Sequence, residues 1–188
     1  LSNLSASFTD SSSIEFSTGS GAIVNNGLFF SGSGRTSVLR MQETETIITN
    51  EDKYSFSFFV NPKDVARVGG PQMIFSFGGA SNGFGAIITS SKVITNFYET
   101  DKSSVTSASV ANDTWHHIVS TYDDGEAKIY LNSELIQTDN VGIGTLNAFT
   151  GDLDIGGDEK DGEFYLSSGS APTRFDASDL LGMCAYEG

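Results

Sequence analysis

Only one cysteine, Cys184, stands among 188 residues, so no disulfide can close within the chain. It lies in the apolar stretch DLLGMCAY, where it reads as a small buried hydrophobe whose thiolate desolvation would suppress. Basic residues are scarce too: ten Lys and Arg against 24 Asp and Glu leave a formal net charge of −14. Affinity for phosphate backbones comes from cationic side chains that displace counterions, so this balance argues against nucleic acid as a partner. The same acidity keeps a β-protein soluble. No apolar run comes near the roughly 20 residues that a membrane-spanning helix needs, and no membrane insertion is expected. Nor does any long segment carry the three-to-four spacing of an amphipathic helix.

What is present is apolar alternation at period two, in short runs bounded by Gly, Asn, Asp and Ser, which is the pattern of β-strands. Candidate strands are Ile14–Phe16, Gly27–Phe30, Ser37–Met41, Tyr54–Val60, Met73–Gly78, Gly85–Thr89, Lys92–Tyr98, His116–Tyr122, Ala127–Leu131, Glu134–Thr138, Leu153–Gly156 and Asp179–Tyr186. So many short strands imply an all-β fold of two stacked antiparallel sheets, a sandwich or jelly roll. The clearest hairpin joins HHIVSTY to AKIYL through Asp123-Asp124-Gly125-Glu126, where Asp-Gly supplies the positive φ of a tight turn. A second turn at Asn132-Ser133 reverses the chain into ELIQT and makes a meander. Val65–Pro71 and Glu159–Ala177 have loop composition. Residues 1–188 are expected to form one domain of a larger polypeptide, since the chain begins at Leu1 without an initiator Met. Asn3-Leu4-Ser5 and Asn112-Asp113-Thr114 fit the N-glycosylation pattern, a triplet that arises often by chance.

The most specific stretch is NDTWHHIVSTYDDGEAKIYLNSELIQT at 112–138, which sets the only tryptophan beside the only two histidines. It resembles the Trp-His-His, apolar strand, Tyr-Asp-Gly, apolar strand pattern of laminin G-like jelly rolls in the concanavalin A-like lectin and glucanase superfamily. NNGLFFSGSGRTSVLRM, YSFSFFVNP, MIFSFGG, GDLDIGGD and DLLGMCAY follow the family's order, so the likeness runs from about Val24 to Tyr186. The structural hallmarks it implies are Trp115, His116, His117, Tyr122 and Gly125. It also implies a closing strand that returns beside the early ones. Two departures weaken an inherited calcium site and aromatic platform. The early turn reads Phe30-Ser31-Gly32 with Arg35 following, and Phe58 or Phe59 stands in place of the usual strand Trp.

This architecture hosts both glucanases and lectins, so function has to be read from particular residues. Glycoside hydrolysis needs two carboxyl groups about 5 to 9.5 Å apart, and glucanases of this fold line them up on alternate positions of one strand. Glu43 and Glu45 begin such a row, but Ile48 stands where a further acid should complete it. No Gly-x-Ser-x-Gly turn leads into a helix, and adjacent strand histidines point to opposite faces, which removes serine-nucleophile and zinc chemistry. His116 and His117 therefore read as structural, one facing in and one out, with Trp115 packed against the sandwich end or core.

Two binding chemistries stay open. GDLDIGGDEKDGE concentrates Asp152, Asp154, Asp158 and Asp161 among glycines, either as a calcium site or as a solvated acidic loop. Sugar binding would use an aromatic ring with nearby amides, and the candidates are Phe59 with Asn61 and Asn96 with Tyr98, each pair sharing a strand face. The alternative is that Phe59 and Phe97 belong to the core and Tyr98 is a lone surface aromatic. The expected function is a non-enzymatic recognition or adhesion module, binding a glycan or protein outside the cell, on a cell surface or on a virion. The alternatives are a structural or oligomerising domain of a larger assembly, and an accessory module of a carbohydrate-active enzyme.

Overall fold

The computed structural model describes residues 21–24, 27–31, 39–41, 53–68, 70–78, 81–100, 102–140, 143–147, 153–156, 163–165, 167–170, 174–176, 181–182 and 184–185. Among them the regular structure is entirely β. The strands are β1 (Gly21–Val24), β2 (Gly27–Ser31), β3 (Leu39–Met41), β4 (Lys53–Val60), β5 (Gln72–Gly78), β6 (Asn82–Thr89), β7 (Lys92–Glu99), β8 (Lys102–Ser109) and β9 (His116–Asp123). They continue as β10 (Glu126–Leu131), β11 (Glu134–Asp139), β12 (Leu153–Ile155), β13 (Glu163–Tyr165), β14 (Gly169–Ser170), β15 (Arg174–Asp176), β16 (Leu181–Gly182) and β17 (Cys184–Ala185).

Two antiparallel sheets form the jelly-roll sandwich. One is four-stranded in the order β11-β10-β9-β4, and the other runs β14-β8-β7-β6-β5-β12-β3, with β16 added parallel to β5. A small sheet β1-β2-β17 brings the last strand back beside an early one, as the family likeness implies. Tight two-residue hairpins join consecutive strands at Ser90-Ser91, Asp124-Gly125 and Asn132-Ser133, each with positive φ at both positions. Such turns match the twist of the strands they connect.

Between the sheets, Val60, Ile118 and Ile129 pack with Ile74, Ala86, Ile88 and Val93. Alongside them, Phe56 lies flat on Phe84 at 5.5 Å and meets Phe75 edge-on at 5.0 Å. A short hydroxyl chain bridges the sheets within this apolar layer, from Thr106 Oγ1 to Thr95 Oγ1 at 2.8 Å and on to Ser120 Oγ at 3.1 Å. The larger sheet is buried on its far face as well, where Met73, Ile87, Ile94, Tyr98 and Val105 form a second cluster. Strand β13 lies against β7 on the larger sheet, and Ser103 Oγ donates to Ser167 O at 2.9 Å. Burial on both faces is why Met73-Ile74-Phe75 and Ala86-Ile87-Ile88 read as unbroken apolar runs.

Several sequence expectations need correction. KSSVTSAS was not among the candidate strands, yet it forms β8, because Ser103, Ser104 and Thr106 are buried polar residues that carry no apolar period. Glu159–Ala177 holds β13, β14 and β15 rather than loop alone. Asp179–Tyr186 contains two short strands that join different sheets, β16 on β5 and β17 on β2. Ile14–Phe16 lies outside the described residues.

Candidate functional site

Alternation along β4 turns Tyr54, Phe56 and Phe58 toward the core and leaves Lys53, Ser55, Ser57 and Phe59 on the outward face. Alternation sends the rings of Phe58 and Phe59 to opposite faces, and the outer face of this strand is open to solvent. Phe59 is consequently 67% exposed. Across the ladder it stands opposite His117, and the two rings stack with centroids 4.4 Å apart and planes 15° from parallel.

His117 is held from three sides. Its Nε2 lies 2.8 Å from Ser57 Oγ, its backbone N–H donates to Asn132 Oδ1 at 2.9 Å, and its carbonyl accepts the Asn132 N–H at 2.8 Å. Asn132 can do both because it sits in the positive-φ turn between β10 and β11, which aims its short amide back at the strand. One step beyond the last ladder pair, Val60 and His116, the chain reaches Asn61 on one side and Trp115 on the other. Trp115 is 47% exposed rather than packed into the sandwich, a correction to the sequence reading, because it precedes β9 at the rim. Asn61 is half-buried, and its Oδ1 is itself buried with no hydrogen-bond partner. This end is fastened by a Lys63–Asp113 ion pair and by Asn112 Oδ1, which accepts the Val65 N–H at 2.8 Å.

His116 faces inward, as alternation requires, and its Nε2 lies 3.0 Å from Ala111 N and 3.2 Å from Ala111 O. It pins the segment before β9 to the strand. Tyr122 is buried at the far end of β9, where its hydroxyl donates to Gly144 O at 2.9 Å and accepts the Ile143 N–H at 3.0 Å. Burial pushes its ionisation upward, and those backbone bonds offset part of the rise. Gly125, with φ +98, closes the hairpin.

The sugar candidates thus separate. Phe59 stacks on His117 on the outward face of the four-stranded sheet, and Asn61 and Trp115 lie just beyond the paired ends of β4 and β9. Asn96 and Tyr98 do share a face of β7, but they are 0% and 1% exposed, so Tyr98 is a core residue and not a surface aromatic. Both amide atoms of Asn96 lack partners there. Of the calcium candidates, Asp154 is buried in β12 between Ser76 and Arg40, while Asp152, Asp158 and Asp161 lie outside the described residues. Among the described residues no three His, Cys, Asp or Glu side chains are grouped as a metal ion requires. Sequence reasoning missed Ser57 and the exposure of Trp115; the strict Ser-Phe alternation of SFSFF is the signal that places Ser57 beside the outward Phe.

An antiparallel two-sheet jelly roll is an architecture that lectin domains share with others. Residues 31–168 match a laminin G-like family model described as the concanavalin A-like lectin/glucanases superfamily, and the chain belongs to this family. No curated protein sequence matches the chain. Among solved structures, the botulinum neurotoxin serotype G binding domain is similar with a TM-score of 0.62 at 19% identity, over 76% of this chain and 38% of that one. A botulinum neurotoxin serotype D ligand binding domain in complex with N-acetylneuraminic acid superposes with a TM-score of 0.54 at 16% identity, over 68% and 34%. The serotype D/C VPI 5993 binding domain gives 0.56 at 19%, over 66% and 32%. The chain thus spans less than two fifths of each of these domains, and at such identity the likeness is one of fold.

Proposed function

We propose that the chain is a non-enzymatic recognition module that binds glycans outside the cell through the outward face around Phe59 and His117. The observation that carries this reading is an exposed Phe ring held flat against a clamped imidazole. Such a ring offers an apolar face to the C–H groups of a sugar, while Ser57 and the His117 imidazole offer hydrogen bonds to its hydroxyls. Membership of a lectin-containing family supports a binding role. N-acetylneuraminic acid is the ligand of one similar domain and enters here as one probe. The test is a glycan array followed by calorimetric titration of the wild type and Phe59→Ala. Binding that disappears in the variant supports the reading; no binding to any glycan removes it.

A second reading, a structural or oligomerising domain, draws on Leu135 and Ile136, which are about half exposed on β11. Sedimentation of the wild type against Ile136→Lys tests it. Calcium binding by Asp152, Asp154, Asp158 and Asp161 stands as a separate proposal, checked by titration with calcium chloride; absence of both heat and thermal stabilisation removes it.

A further inference from the structure

The outward face of the four-stranded sheet continues beyond the aromatic pair. Ser55 lies four residues back along β4 from Phe59, about 13 Å at the rise of an extended strand. It stands opposite Thr121, and Thr121 stands opposite Lys128. Short side chains at Ser55 and Thr121 sit between the longer Lys53, Lys128 and Tyr130, so the surface dips into a shallow depression of about 290 Å³. Ser57 continues the short-residue floor from there to the platform.

Charge narrows what such a trough accepts. Lys53 pairs with Asp123 at 3.1 Å and Lys128 pairs with Glu126, so the four ionised groups at its far end sum to zero on a chain that carries −14. Exposed pairs of this kind contribute little to stability. They do present ammonium donors and carboxylate acceptors side by side, the complement of neighbouring sugar hydroxyls, which both accept and donate. A neutral lining gives no attraction for an anion, and the acidic remainder of the molecule repels one.

We infer that this face holds an extended, uncharged oligosaccharide, with one sugar stacked on Phe59 and a later sugar seated between Lys53, Lys128 and Tyr130. The inference rests on the glycan reading above and adds ligand length and charge to it. The test is calorimetry of the wild type, Ser55→Tyr, Ser55→Ala and Phe59→Ala with cellulose-derived and mannan-derived oligosaccharides from monosaccharide to hexasaccharide, and with sialyllactose. The wild type is expected to bind a hexasaccharide about tenfold more tightly than the disaccharide, equivalent to roughly 1.4 kcal/mol. Ser55→Tyr fills the depression and should bring the hexasaccharide down to the disaccharide level without changing the disaccharide. Ser55→Ala keeps the floor short and should retain the length dependence, and unchanged melting temperatures establish that both variants fold. Equal affinity at every length, or a Ser55→Tyr variant that binds the hexasaccharide normally, overturns the inference while Phe59-dependent binding of short sugars leaves the glycan reading standing. Preference for sialyllactose overturns the charge assignment. No binding of any probe removes both.

Discussion

Phe59 and His117 face each other across the β4–β9 ladder with rings 4.4 Å apart, and the pair lies on the solvent side of a sheet whose opposite side is the core. An exposed ring gains little from burial, so its position is explained by what it presents and not by what it stabilises. Inward and outward phenylalanines of the same strand therefore have separable roles.

Phe59→Ala should lower unfolding stability by less than about 1 kcal/mol, because the ring is mostly solvated and only a stacking contact is lost. Phe56→Ala should cost about 3 to 5 kcal/mol, since that ring packs on Phe75, Phe84 and Phe97 inside the sandwich. Denaturant titrations of the two variants check the contrast. A large loss in Phe59→Ala would show that the platform is structural.

Chelation should leave glycan binding at the platform unchanged. Ser57, Phe59, Asn61, Trp115 and His117 include no carboxylate, and calcium draws its ligands chiefly from carboxylate and carbonyl oxygens. Titration of one glycan before and after EDTA treatment is the measurement. A fall in affinity after chelation would tie recognition to the acidic segment beyond β12 instead.

Much of this arrangement is legible in the chain itself. HHIVSTY sends one histidine inward and the other outward by alternation alone, and the Phe58-Phe59 doublet sends its two rings to opposite faces of the strand. The positive-φ turns are written as Asp-Gly and Asn-Ser. What cannot be read is burial supplied from far along the chain. Asn96 and Tyr98 have the right face for a sugar site, but the far face of the larger sheet is covered, and Ser167 and Ser168 reach back across it to Ser103 and Val105. KSSVTSAS likewise carries no strand signal, since its buried positions include the hydroxyl residues Ser103, Ser104 and Thr106, of which Ser103 donates to the distant Ser167 O. Trp115 escapes prediction differently: alternation is defined only within a strand, and it stands one residue outside.

Glycine tolerance should differ sharply between two turns. A Cβ at Gly78, whose φ is +131, would lie 2.4 Å from Asn82 O and 2.6 Å from Gly83 Cα, so neighbouring backbone must shift. Gly78→Ala should cost about 2 kcal/mol or more. Gly125 has φ +98 but open space around it, so Gly125→Ala should carry only the strain of a left-handed conformation, about 1 kcal/mol. Equal midpoint shifts in urea for the two variants would contradict this.

Tyr122 links the β9 end of the core to residues 143–144, and its raised ionisation makes that link sensitive to alkali. Because burial favours the neutral phenol, the folded chain keeps its proton at a pH where the unfolded chain, with an ordinary tyrosine near pH 10, has begun to release it. The stabilisation is fully present below the unfolded value and is lost as pH rises through the folded one. Tyr122→Phe should cost about 1 to 2 kcal/mol at neutral pH, as the Ile143 N–H and Gly144 carbonyl lose their shared partner. Its stability should also fall less steeply than that of the wild type above about pH 10. Melting temperatures measured from neutral pH to pH 11 or so test both parts, and parallel curves for the two proteins would show that the Tyr122 phenol does not ionise with unfolding in the way its burial implies.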